Sequence, residues 1–370
     1  MCLLIMLNST NFNDLTTPDE CSLITFFMYL GEHFLAEELA TKVRIYCFIL
    51  TVPAAKKVKA VHVKATWARR FDKFVFISSE DDPTFPTLKA VDTESRKHLW
   101  LKTRFGVITA YRDHLNDFDF FMKADDDTYV IVENLRLLLS TKDPNVPMLM
   151  GRKFNTVSPV FFPRENLTGS YTTQGYLSSE LCKLVFYKQQ NDADQSNPYG
   201  FEKSGQRDRR QDQMQKHVPQ GYTSGGAGYV LSRAGLKLIA EGMLRNETGC
   251  EPAFRAEDLR MGLCAQAVGV KIIDSLDEHG RETFHPFKPA TMVSEKWLRA
   301  IKWYRRYNAH PLTYGVNCCS DHSISFHYMR PADMYMAEYL FYHLYPYGIT
   351  RDLETYRSAL EDRSRRGGGL

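Results

Sequence analysis

Short apolar runs alternate along this chain with longer stretches whose apolar residues recur every three or four positions. The first run, Arg44 to Thr51 (RIYCFILT), reads as a buried strand ended by Pro53. Ala54 to Phe71 follows with helical spacing through Val58, Val61, Ala65 and Ala68. Lys73 to Ser78 (KFVFIS) predicts a second strand, and His98 to Leu115 a helix carried by Leu101, Phe105, Ile108, Tyr111 and Leu115. Phe118 to Ala124 is a third strand, Ile131 to Ser140 a helix, and Pro147 to Gly151 a fourth strand. After a long interruption, Ala227 to Leu231 reads as a strand, and Arg233 to Leu244 and Glu257 to Val268 as helices. Strands alternating with amphipathic helices predict an α/β fold with a mainly parallel sheet and helices on both faces. Ligands of such sheets bind beyond the carboxyl ends of the strands, so the end of the third strand is the place to look for chemistry.

The interruption, residues 156–217, is polar and contains QQNDADQSN and SGQRDRRQDQMQK. It reads as a disordered insertion with little core, either a genuine loop or retained non-coding sequence. Residues 1–43 read as an irregular, stem-like segment with a helix around Glu32 to Lys42. The catalytic unit is expected over 44–348, and residues 349–370, which are charged and then glycine-rich, are expected to form a flexible tail.

The chain has 370 residues, 44% of them hydrophobic, enough for one large core or two small ones. Its 47 basic and 44 acidic residues leave a charge of +3, too balanced for a nucleic-acid partner. No stretch reaches the roughly 18 consecutive apolar residues of a membrane span. Met1 to Leu7 and Ser22 to Leu30 are apolar but short. Either the chain is soluble or its anchor lies outside this sequence. The eight cysteines include no CxxC pair, which argues against structural zinc. They are buried thiols, or disulfides of an oxidising compartment. Sequons at Asn8, Asn166 and Asn246 fit a secretory route.

Three consecutive carboxylates, Asp125, Asp126 and Asp127, follow the aromatic third strand. Carboxylates this close repel one another, and a divalent cation relieves the repulsion. Hard oxygen ligands suit magnesium or manganese, which also bridge a diphosphate. The alternative is a solvated acidic turn capping the next helix. Gly221 to Tyr229 (GYTSGGAGY) lets backbone approach a ligand closely, or forms a plain tight turn. Glu257 and Asp258 open a helix, as dipole-compensating caps or as a general base beside a sugar hydroxyl. His327 ends an alternating strand, Ser323 to Tyr328, and serves as a structural residue or a metal ligand. Trp297, Trp303, Tyr304 and Tyr307 are core residues or stack on a sugar.

Together these motifs resemble the core 1 β1,3-galactosyltransferase family, within the β1,3-glycosyltransferase and Fringe superfamily. The matching segments are HVKATWA (His62 to Ala68), KADDDTYVI (Lys123 to Ile131), GYTSGGAGYVLS (Gly221 to Ser232), EDLRMG (Glu257 to Gly262), ETFHPF (Glu282 to Phe287), CCSDHSISFHY (Cys318 to Tyr328) and YHLYPYG (Tyr342 to Gly348). The resemblance implies a Rossmann-like GT-A fold, UDP-galactose as donor and manganese as cofactor. It implies a type II Golgi membrane protein that acts on a GalNAc-bearing glycoprotein, with a homodimer as one possible assembly. It assigns Asp127 and His327 to the metal, Asp125 to donor or metal, and Asp258 to the base. Thr51, Pro53, Asp126, Gly225 and Gly226 are expected at the donor, and Glu257, Trp303 and Tyr304 at the acceptor. Cys250–Cys264 and Cys318–Cys319 match family disulfides. Phe71 stands where the family has a cysteine, so Cys47 loses its usual partner, and Arg305 replaces an aromatic residue. Competing readings are Fringe-like N-acetylglucosamine transfer, a non-catalytic chaperone and a paralogue disabled by its insertion. A chaperone of this kind is expected to lack the acidic triplet.

Overall fold

The computed structural model describes residues 35–156, 218–253 and 256–344. The proposed insertion beyond Thr156, the tail, most of the stem-like segment, and the sequons at Asn8 and Asn166 lie outside them. A helix covers 35–42. The core is a seven-stranded sheet ordered β10 (Lys271–Ile273), β6 (Met148–Gly151), β9 (Tyr229–Ser232), β4 (Phe120–Asp125), β1 (Ile45–Leu50), β2 (Lys73–Ser78) and β3 (Thr87–Lys89). All neighbours run parallel except β9, which is antiparallel to both β4 and β6. The third apolar run of the sequence is therefore β4, because the three-residue β3 carries no apolar signal of its own.

Alternation within β1 divides the core into two layers. Ile45, Cys47 and Ile49 pack on one face of the sheet, and Tyr46, Phe48 and Leu50 on the other. A strand covered on both faces must be apolar throughout, which explains its continuous run. The second layer is closed by α1 (Leu99–His114), α3 (Arg233–Leu244) and α4 (Glu257–Ala267). Gly106 of α1 crosses Phe48 so closely that a side chain there would overlap the ring. α2 (Val132–Leu139) and α6 (Pro331–Tyr342) cover the first layer.

The helix expected over Ala54 to Phe71 is broken into four short pieces. Thr66 ends the regular turn with ψ −108°, and its hydroxyl donates to the His62 carbonyl at 2.7 Å. That local bond competes with helix propagation. Buried Cys47 is a free thiol, and Phe71 packs in the same layer, as the sequence departure anticipated. Cys250–Cys264 and Cys318–Cys319 form disulfides. Among the described residues, no helix is long and apolar enough to cross a membrane.

A second, three-stranded sheet comprises β11 (Phe284–His285), β12 (Ser325–Phe326) and β5 (Tyr129–Val130), and β7 (Lys153–Phe154) pairs with β8 (Tyr222–Thr223). The alternating segment Ser323 to Tyr328 makes ladder bonds only at Ser325 and Phe326. β5 follows the acidic triplet and β12 precedes His327, so their antiparallel pairing carries those two segments together.

Candidate active site

The acidic triplet begins at the carboxyl end of β4, where Asp125 is the register partner of Leu50. This sets the turn after β1 directly against the carboxylates. The Thr51 hydroxyl donates to Asp126 Oδ2 at 2.8 Å, and the Asp126 amide donates to the Leu50 carbonyl. Burial pushes the Asp126 carboxyl up to about 6, against the pull of Lys59. Asp126 therefore supports the turn below the site. Pro53 opens the helical segment that follows, with no side-chain hydrogen bond at its cap.

Asp127 lies between a lysine and a histidine. Its Oδ1 lies 3.1 Å from His327 Nε2, and its Oδ2 lies 3.1 Å from Lys59 Nζ. Burial opposes its ionisation, but His327 and Lys59 outweigh burial and hold the carboxyl below its usual range. Its carbonyl accepts from the Met329 amide, so Asp127 and His327 are tied through backbone as well. Asp125, Asp127 and His327 can each offer a ligand atom, all within 4.8 Å of one another. Two carboxylates and an imidazole suit a divalent cation of the manganese or zinc class. Asp125 Oδ1 is buried without an aligned hydrogen-bond partner, although Lys123 Nζ lies 2.8 Å away. That oxygen keeps acceptor capacity for an ion, and the donor set fits one.

The glycine segment packs closely against this cluster and against the start of α4. A Cβ on Gly226 would lie 2.6 Å from His327 Nε2, so only glycine leaves room for the ring. A Cβ on Gly225 would lie 2.5 Å from Glu257 Oε2 and 3.6 Å from the Asp258 Cβ. The adjacent glycines thus pack against His327 and against the start of α4. Asp258, the second residue of that helix, is partly exposed, and its Oδ1 accepts the Leu259 amide at 2.8 Å. Burial first, then repulsion by Glu257, raises its carboxyl to about 6, opposed by the Leu259 amide and Lys123. A carboxyl raised in this way lies closer to neutral pH than an ordinary aspartate, which suits proton exchange.

An acidic loop at a parallel-strand end, an imidazole brought in beside a second sheet and a raised carboxylate packed on the same glycine pair now stand together. Residues 42–176 match the family described as Fringe-like. The chain is 36% identical over 319 residues to the glycoprotein-N-acetylgalactosamine 3-beta-galactosyltransferase 1 of Xenopus laevis, covering 86% of this chain and 71% of that protein. The chain belongs to that galactosyltransferase family. It is a glycosyltransferase, and the family makes a nucleotide sugar its donor class.

Two residues expected at the family's acceptor side are turned inward instead. Glu257 is buried, and its Oε1 accepts from Thr103 and from the Tyr229 hydroxyl. Its Oε2 lies 3.6 Å from Lys123 Nζ. Glu257 therefore anchors α4 and sets the field at Asp258. Tyr304, on α5 (Lys302–Tyr307), is fully buried, and its hydroxyl accepts from Arg152. Its ring packs edge-on against Phe154 and Phe287, which leaves no free face for a sugar. Trp303 of the same helix is 42% exposed. Trp303 lies against Phe287, which stacks in turn on Tyr328, the neighbour of His327. Trp303 is thus the aromatic residue of this pair open to a ligand.

Sequence reasoning missed two lysines. Lys123 is buried within β4, lies 2.8 Å from Asp125 Oδ1 and donates to the Gly225 carbonyl. Asp125 and Glu257 outweigh its burial and keep it charged. A lysine inside an apolar strand was a legible signal, because a buried ammonium needs carboxylate partners. Lys59 was not legible, being one of several lysines in a basic segment. The third sequon, at Asn246, lies on an exposed turn with φ 51°.

Proposed function

We propose that this chain transfers galactose from UDP-galactose to the 3-hydroxyl of O-linked GalNAc on glycoproteins, with inversion at the anomeric carbon. One observation carries the reading: Asp125, Asp127 and His327 can converge on one ion, and the adjacent Gly225 and Gly226 pack against Asp258 and His327 in turn. The relative from Xenopus laevis, named for this transfer, supports the substrates.

Asp258 takes the proton of the acceptor hydroxyl as its oxygen attacks the anomeric carbon, opposite the departing UDP. The new C–O bond forms as the bond to the diphosphate oxygen breaks, so one displacement inverts the centre without a covalent sugar–enzyme intermediate. Positive character develops on the sugar in such a transition state. Asp125, Asp127 and His327 would hold manganese, which when bound neutralises the negative charge of the diphosphate. Thr51 and Asp126 fix the turn after β1, the position of a nucleotide in sheets of this kind. Trp303 offers an apolar face to the acceptor sugar.

The setting we propose is the Golgi lumen, with the chain held at the membrane in type II orientation. Two disulfides and the exposed Asn246 sequon support an oxidising, secretory compartment. The test is transfer of radiolabelled galactose from UDP-galactose to a GalNAc-peptide, with and without manganese, and UDP-GlcNAc as the competing donor. Manganese-dependent incorporation of galactose is expected. Transfer of N-acetylglucosamine alone would replace the donor assignment, and uptake of neither sugar by folded protein would remove the enzymatic reading.

A further inference from the structure

Lys59 lies in the π-helical segment Lys56–Ala60, one turn beyond Pro53 at the end of β1. Its ammonium bridges two members of the triplet, 3.3 Å from Asp126 Oδ1 and 3.1 Å from Asp127 Oδ2. It is neither a core residue nor a free surface residue, for its side chain is 26% exposed and those carboxylates are the partners described for it. Asp127 is also a member of the cation cluster, and its other oxygen faces His327. One carboxylate thus serves an ammonium on one side and a cation position on the other.

We propose that Lys59 is a resident counter-ion that competes with the divalent cation for Asp127 and is released to the nucleotide diphosphate when metal and donor bind together. This rests on the metal and donor reading given above. Charge supports it. Asp125, Asp126, Asp127 and Glu257 carry four negative charges, and Lys59 and Lys123 carry two positive ones. A divalent ion entering this cluster cancels its excess negative charge, takes an oxygen of Asp127 and repels the nearest mobile ammonium. Lys123 cannot move, being buried in β4 and bonded to the Gly225 carbonyl. Lys59 can, because its long stem is partly open to solvent. A diphosphate drawn to the metal is then the strongest nearby anion for it. Ion binding without nucleotide works against Lys59, whereas binding with nucleotide gives it a new partner. The lysine thereby couples the two events.

The experiment titrates the full chain with manganese alone, read by the loss of the free-ion spin-resonance signal, and then with UDP at saturating manganese, read by calorimetry. Lys59→Met is expected to bind manganese alone about tenfold more tightly than wild type. Its affinity for UDP in the presence of manganese is expected to fall about tenfold. Lys59→Arg, which restores the charge, should return both values towards wild type. A merely structural lysine would weaken both affinities or neither, and either result overturns the proposal. Failure is separable from failure of the underlying site reading. Wild type that takes up no manganese sinks both, whereas wild type that binds manganese and UDP with Lys59→Met unchanged sinks only the role of Lys59. Thermal melts of all three proteins without metal confirm that each is folded.

Discussion

Asp127 Oδ1 and His327 Nε2 lie 3.1 Å apart because Tyr129 and Phe326 are register partners in a small antiparallel ladder. Neither residue belongs to the main sheet, yet their separation decides whether a cation can be held at its edge. The ladder works only with Gly226 beneath the imidazole.

Gly226→Ala should therefore displace His327 while leaving the two core layers intact. Manganese affinity is expected to drop by about 10- to 100-fold, the scale seen when support of a metal ligand is lost. Spin-resonance titration reads the affinity, and a melting temperature close to wild type shows that the effect is local.

Asp258→Asn should retain UDP binding and lose turnover by about 10²- to 10⁴-fold, the range of general-base catalysis. In wild type, only ionised Asp258 accepts a proton. The logarithm of kcat/KM should rise with pH through about 6 and level above it. A variant that keeps turnover and the same acid limb would remove Asp258 from the base role.

The same carboxylate predicts an opposite trend in stability. Its folded pKa, about 6, exceeds the ordinary Asp value, so the fold favours its protonated form. The resulting stabilisation is fully present below about pH 4 and is lost as pH rises through about 6. Asp258→Asn, neutral throughout, should be more stable than wild type at pH 7 by about 1–2 kcal/mol. Urea unfolding at pH 4.5 and 7 checks this, with the difference between the proteins widening at the higher pH.

Glu338→Ala should destabilise the protein by about 3 kcal/mol, since breaking a largely buried charge pair strands the remaining ion. Glu338 on α6 takes a two-pronged pair of bonds from Arg70, at 2.8 and 2.7 Å, and a third from the Tyr129 hydroxyl. Tyr129 lies in β5, so the loss should also loosen the strand behind the acidic triplet. Equilibrium unfolding measures the first effect, and amide hydrogen exchange at Tyr129 and Val130 the second.

Much of the main sheet was legible from local pattern. Arg233 to Leu244 was read with the boundaries observed, and the β1, β2 and β4 runs were placed to within two residues, because each strand is buried on both faces. Ala54 to Phe71 misled, since apolar spacing does not report the Thr66 hydroxyl bond that breaks the helix. Asp125, Asp127 and His327 were chosen by residue type and family resemblance, and the fold brings them together. Glu257 and Tyr304 looked alike to their neighbours Asp258 and Trp303. Helical rotation turned one member of each pair inward, to Tyr229 and to Arg152.

The sequence by itself determined the alternation of strands and helices, the apolar composition of both core layers and the triplet of acids at a strand end. These are properties of consecutive residues, set by side-chain periodicity and charge. Tertiary structure alone decided that β9 runs antiparallel, that Lys59 and His327 meet the same aspartate, and that Glu257 is spent inside while Asp258 stays open. Those outcomes depend on pairings between distant segments, and packing, rather than local propensity, selects them.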